Sequence, residues 1–140
     1  MASPDTLRSG DRVGPYRLVD ELGRGGMGEV WSAVRTDGSL DRAVAVKVLH
    51  ADLHGSAPVG RFLREREILS ALDHPGIARI LDGGATDGGR QYLVMEAIAG
   101  TGIYRFCEER GLAPEERLRL VVDAARTLGA AAVVALEAEG

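Results

Sequence analysis

Residues 21–31 read ELGRGGMGEVW: four glycines stand within six positions, and Glu29, Val30 and Trp31 follow at once. A dinucleotide-binding loop of similar spelling runs from a strand into a helix, whose N-terminus receives the pyrophosphate. Here both flanks read as strands. YRLVDEL (16–22) roughly alternates apolar and polar residues, and EVWSAVR (29–35) has a β-branched and aromatic bias. A glycine hairpin between strands presents backbone N–H groups that no Cβ shields, so Gly23, Gly25 and Gly28 suit a cover over phosphates. On this stretch alone, such a cover and a plain flexible hairpin stand level.

Outward from the glycines, Asp37-Gly38 marks a turn, and AVAVKVL (43–49) is an apolar run of strand length with one lysine inside. HADLHGSAPVG (50–60) reads as loop. RFLREREILSALD (61–73) sets Phe62, Ile68, Leu69 and Leu72 at helical spacing, and His74-Pro75-Gly76 stops it. IARILDG (77–83) and QYLVMEAI (91–98) are two more strands around the turn ATDGGR (85–90), and Asp82 and Asp87 are assigned to turns around the first of these two strands. Five strands and one helix therefore fill the first hundred residues. Beyond Gly100 the chain turns helical: IYRFCEERG (103–111) is short, and Pro114 with Glu115 and Glu116 opens a long helix. Its apolar stripe is Leu118, Val121, Val122, Ala125, Leu128 and Ala132. The expected divisions are a flexible N-terminus over 1–10, a sheet-rich lobe over 11–99 and a helical segment over 100–140.

Lys47 interrupts a run where a buried strand would carry valine or isoleucine, and a buried ammonium needs a partner. Alternation puts Ala45 and Lys47 on one strand face and Val44, Val46 and Val48 on the other. On the helix, 100° per residue places Phe62, Ile68, Leu69 and Leu72 within about 60° of Glu65, and Glu67 about 200° away from it. Glu65 is therefore expected inward, where it can neutralise Lys47, and Glu67 outward.

The formal charge of −4, with both signs interspersed, supplies no basic stripe for nucleic acid. Cys107 is the only cysteine and cannot make an internal disulfide, which fits a reducing, cytoplasmic setting. His50 and His54, four apart, lack a metalloprotease glutamate and read as linker residues, so no metal is expected there. No apolar run approaches the roughly 20 residues that cross a bilayer.

Taken in order, LGRGGMGEV, AVAVKVL, RFLREREILSALDHPGI and QYLVMEAIAG resemble the N-terminal lobe of bacterial Ser/Thr protein kinases of the eukaryotic-like type, from about Asp11 to about Leu128. The resemblance implies an α+β fold: a five-stranded antiparallel sheet with one helix, then two helices of an incomplete large lobe. It implies that Leu22, Val30 and Ala45 pack on adenine and that Gly23, Gly25 and Gly28 cover the phosphates. Lys47 would contact the α- and β-phosphates and pair with Glu65. Met95 would stand at the back of the adenine pocket, the backbone of Glu96 and Ile98 would hydrogen-bond the base, and Leu69 and Ile80 would join an internal apolar column.

The pattern then breaks. Where the family places His-Arg-Asp and, later, Asp-Phe-Gly, this sequence reads GAAAVVALEAEG, so no catalytic base and no magnesium ligand is expected. Ala113-Pro114-Glu115 is a helix start. The expectation is a truncated family member, from a frameshift or premature stop, that binds ATP weakly if at all, meets magnesium only through the nucleotide, and is inactive as this chain. The alternative is a non-catalytic module that docks on a protein partner or self-associates through the 115–136 helix. A working kinase by another route would need a base and metal ligands that the sequence does not contain.

Overall fold

The computed structural model describes residues 6–38, 42–50 and 57–139, the side chains of 57–59 and 131–139 excepted. Six antiparallel strands form one sheet: β1 (Arg12–Val13), β2 (Tyr16–Arg24), β3 (Gly28–Arg35), β4 (Val44–Leu49), β5 (Ile80–Ala85) and β6 (Gln91–Glu96), in the spatial order β1-β2-β3-β4-β6-β5. Helix α1 (Ala57–Ser70) links β4 to β5, and α2 (Ile103–Glu109) and α3 (Pro114–Glu139) follow the sheet.

Alternation in the strands builds the core. Tyr16, Leu18, Trp31, Ala33, Val44, Val46, Val48, Tyr92 and Val94 form one buried cluster on a single face, completed by Val13. Full burial of each large apolar side chain contributes roughly 1.5–3 kcal/mol. On the other face Leu49, Phe62 and Leu93 cluster with Met27, Ile80 and Met95, so α1 reaches the sheet through Phe62.

The sheet curls far enough to close on itself. Tyr16 on β2 donates its hydroxyl to Asp82 Oδ2 on β5 at 3.0 Å, although β3, β4 and β6 stand between the two strands. The Tyr92 hydroxyl occupies the space that a Cβ on Gly14 or Gly84 would need, and Gly14 has φ +55°. Asp82 lies within β5 and serves this closure, not a turn.

The sheet has six strands, not the expected five, because Arg12–Val13 pairs with Tyr16–Arg17 to add β1. Of the stretch expected to be flexible, residues 1–5 lie outside the described residues, while Leu7 packs on the core and the Gly10 N–H donates to Leu18 O at 2.8 Å. Helix α1 also begins earlier, at Ala57, and ends at Ser70, whose hydroxyl donates back to Arg66 O at 2.7 Å. Downstream, Gly111 (φ +56°) turns the chain out of α2. The Glu116 carboxylate then accepts the Ala113 N–H at 2.9 Å, capping α3. Gly76, after α1, packs on Thr127 of α3. The stripe on α3 is uncovered, with Leu118 62% and Leu128 69% exposed.

Burial, then the Asp82 hydrogen bond, raises the Tyr16 pKa above the ordinary phenol value of 10.0, and burial also raises that of Tyr92. The folded state thus favours the protonated phenols, so their stabilisation is complete below pH about 10 and is lost as pH rises through the higher folded values. Tyr16→Phe should cost about 1 kcal/mol at neutral pH. In denaturant titrations at successive pH values, the variant should also lose less stability above pH about 10 than the parent chain.

Candidate functional site

Strands β3, β4 and β6 bring Val30, Ala45, Lys47, Leu93 and Met95 together. Their register sets Val30 opposite Lys47, Lys47 opposite Leu93 and Ala45 opposite Met95, and directly opposed residues of antiparallel strands share a face. Ala45 and Leu93 are buried, while Val30, Lys47 and Met95 are half-buried. The result is an apolar floor with a single ammonium, under the hairpin that carries the glycines.

At the far edge of this floor, Glu96 is tied to the start of β5. Its N–H donates to Arg79 O at 2.9 Å, and its carboxylate accepts the Arg79 N–H at 3.1 Å. Ile98 follows, 67% exposed. Leu22 is 60% exposed in a bulge of β2, between the pairs Glu21–Trp31 and Gly23–Val30.

The expected inward Glu65 is not found. Glu65 and Glu67 are both exposed, and no ion pair joins Glu65 to Lys47 among the described residues. Lys47 Nζ instead stands 5.9 Å from the centroid of the Phe62 ring. The reason is the angle at which α1 packs: Phe62 is 1% exposed, and the Arg66 guanidinium lies over Gly83 on β5. The helix face centred on Phe62 and Arg66 therefore meets the sheet, and Glu65 falls at its rim. Leu69 is half-buried on that face, and Ile80 packs against the Phe62 cluster.

The glycines divide into two kinds. A Cβ at Gly23, Gly25 or Gly26 would meet nothing within 4 Å, whereas one at Gly28 would collide with the Val48 carbonyl. Gly28 is thus required by the close approach of β3 to β4, and the others leave open room beside the backbone. The hairpin is closed by the Gly25 N–H donating to Gly28 O at 2.9 Å, which leaves the Gly26 and Met27 N–H groups as donors at the tip. His50 adds two ties: its N–H donates to Met27 O at 3.0 Å, and its Nε2 lies 2.9 Å from Gly25 O. His54 lies outside the described residues. Among the described residues no three His, Cys, Asp or Glu side chains converge as a metal site would need.

The protein kinase domain model matches residues 16–130. The chain belongs to the protein kinase family. Serine/threonine-protein kinase pkn2 of Myxococcus xanthus is 40% identical over 131 residues, covering 93% of this chain and 15% of that protein. Serine/threonine-protein kinase PkaB of Streptomyces coelicolor is 41% identical over 118 residues, covering 83% of this chain and 27% of that protein. The crystal structure of the Mycobacterium tuberculosis PknI kinase domain superposes with a TM-score of 0.70 at 29% identity, over 90% of this chain and 51% of that one. The 140 residues thus span a minor part of these curated relatives and about half of a solved kinase domain, and their fold is the kinase small lobe with the helices that follow it.

The two kinds of glycine separate in a stability measurement. Gly28→Ala should lower the unfolding free energy by about 1–3 kcal/mol, because strand backbones must shift. Gly25→Ala should change it by no more than about 1 kcal/mol in either direction. Chemical denaturation of the two variants checks the contrast.

Proposed function

We propose that these residues are the ATP-binding half of a Ser/Thr protein kinase. The observation that carries this reading is the register that sets Lys47 opposite Val30, with Ala45 opposite Met95, beneath a glycine hairpin whose Gly23, Gly25 and Gly26 leave space for phosphates. Leu22, Val30 and Ala45 would hold the adenine against Met95. With the Glu96 N–H engaged by Arg79, its carbonyl and the backbone of Ile98 would meet the base. Lys47, half-buried and without an ion pair among the described residues, would take the α- and β-phosphates. Gly23, Gly25 and Gly28 would shape the cover over them. Glu65 would pair with Lys47 only if α1 turned from its present angle.

ATP supplies the phosphoryl group in this family, and magnesium neutralises its charge. Phosphoryl transfer depends on positioning and charge stabilisation, and these residues contain neither a His-Arg-Asp base nor an Asp-Phe-Gly carboxylate. In isolation they bind nucleotide without transferring its phosphate. Calorimetric titration of the chain with ATP, with and without magnesium, should give saturable binding, and Lys47→Met should weaken it by about tenfold or more. An unchanged affinity in that variant would remove Lys47 from the nucleotide site.

A second reading concerns α3. With Leu118, Val121, Val122 and Leu128 exposed, the isolated chain presents an apolar stripe that water does not tolerate well. We infer that the stripe packs against protein, and that the isolated chain self-associates through it. Sedimentation velocity should show concentration-dependent association that Leu118→Lys with Leu128→Lys abolishes.

A further inference from the structure

Behind the glycine hairpin, on the face away from Lys47, a chain of charges runs from the turn before β6 into the loop. Arg90, just ahead of β6, is 9% exposed and donates from Nε to Leu49 O at 2.8 Å and from Nη2 to Glu29 Oε1 at 3.2 Å. Glu29 is 1% exposed, an ionisable group whose burial demands compensation. Its second oxygen lies 2.8 Å from Arg24 Nη2, an ion pair without hydrogen-bond alignment, and Arg24 Nε donates to Glu21 Oε1 at 2.7 Å. Arg24 stands between Gly23 and Gly25, in the arm of the hairpin that would lie over phosphates.

The register explains the direction. Arg24 pairs with Glu29 and Glu29 with Val48, so all three belong to the face of the valine core, opposite the one shared by Val30 and Lys47. A cation at Arg24 would otherwise be the obvious candidate to touch a phosphate directly. Its guanidinium is instead held on the far side by two carboxylates.

We propose that Arg24, Glu29 and Arg90 are positioning residues, a charge relay with a buried Glu29–Arg90 centre that holds the glycine hairpin in its phosphate-covering shape from behind. Glycine-rich hairpins are costly to order, and a loop tied down before its ligand arrives loses less entropy on binding. Glu29 is well suited to the task because it is rigid: Arg90 fixes it to the β4 backbone, and Arg24 transmits that rigidity to the loop. The relay rests on the nucleotide reading for its purpose but not for its existence.

The test is amide hydrogen exchange on the full chain without nucleotide, followed by ATP titration. Arg24 is half-exposed, so Arg24→Gln should fold normally. Exchange at the hydrogen-bonded Gly25 amide should rise by about fivefold while β4 and β6 amides stay unchanged, the size expected of one ion pair. Arg24→Lys should restore part of the protection, and Glu29→Gln should raise loop exchange further while also lowering overall stability. In the titration, Arg24→Gln should weaken ATP and ADP alike. Loop exchange within twofold of the parent chain would overturn the relay. So would a loss of ATP affinity with loop exchange unchanged, since Arg24 would then act on the phosphates directly. If loop exchange rises and no nucleotide binds to any variant, the relay stands and the nucleotide reading falls.

Discussion

Strand β4 cannot bury Val44, Val46 and Val48 without turning Ala45 and Lys47 to the opposite face. That geometric necessity organises the molecule. The three valines are almost wholly out of water and hold the curled sheet together, and the same alternation delivers a small residue and a cation to the opposite face. Because β4 is flanked by β3 and β6, its register also chooses the companions of that cation: Val30 on one side and Leu93 on the other. A one-residue slip in either pairing would send Lys47 into the valine core, so core stability and site geometry are specified by one pattern.

The position of α1 shows which of two forces prevails. Turning the helix to bring Glu65 to Lys47 would gain a pair at the solvent edge, worth at most about 1 kcal/mol. Keeping Phe62 fully buried against Leu49 and Leu93 is worth about 2–3 kcal/mol. The apolar term wins, and the ammonium is left beside the ring it lies near. This balance is small enough that a bound anion at Lys47, or additional protein packed on the helix, could reverse it.

What could be read in advance follows from these scales. Alternation was enough to place β2 and to divide β4 into two faces, and apolar runs of strand length rich in β-branched or aromatic residues placed β3, β4 and β6. The face of α1 was not legible, because Glu65 and Phe62 are only about 60° apart on a helical wheel and either could centre the buried stripe; the deciding contact, Arg66 over Gly83, joins two elements. Strand β1 escaped notice because two residues carry no period. The Tyr16–Asp82 and Arg90–Glu29 contacts span 66 and 61 positions, and no local pattern announces them. A lone glutamate after the last glycine of a hairpin, and a lone arginine after a turn, look like ordinary surface charges until the sheet brings them together.

The glycine motif itself holds two separate physical requirements that share one spelling. Where a strand, loop and helix follow in turn, the last glycine of such a motif admits close helix–strand packing. In this hairpin Gly28 admits close strand–strand packing, with the Val48 carbonyl where a Cβ would be, and does so whether or not a ligand is present. Gly23 and Gly25 have no such neighbour, so packing in the fold gives no reason for them to be glycine. The proposed phosphate cover would use the room beside Gly23 and Gly25, whereas Gly28 is fixed by strand packing alone.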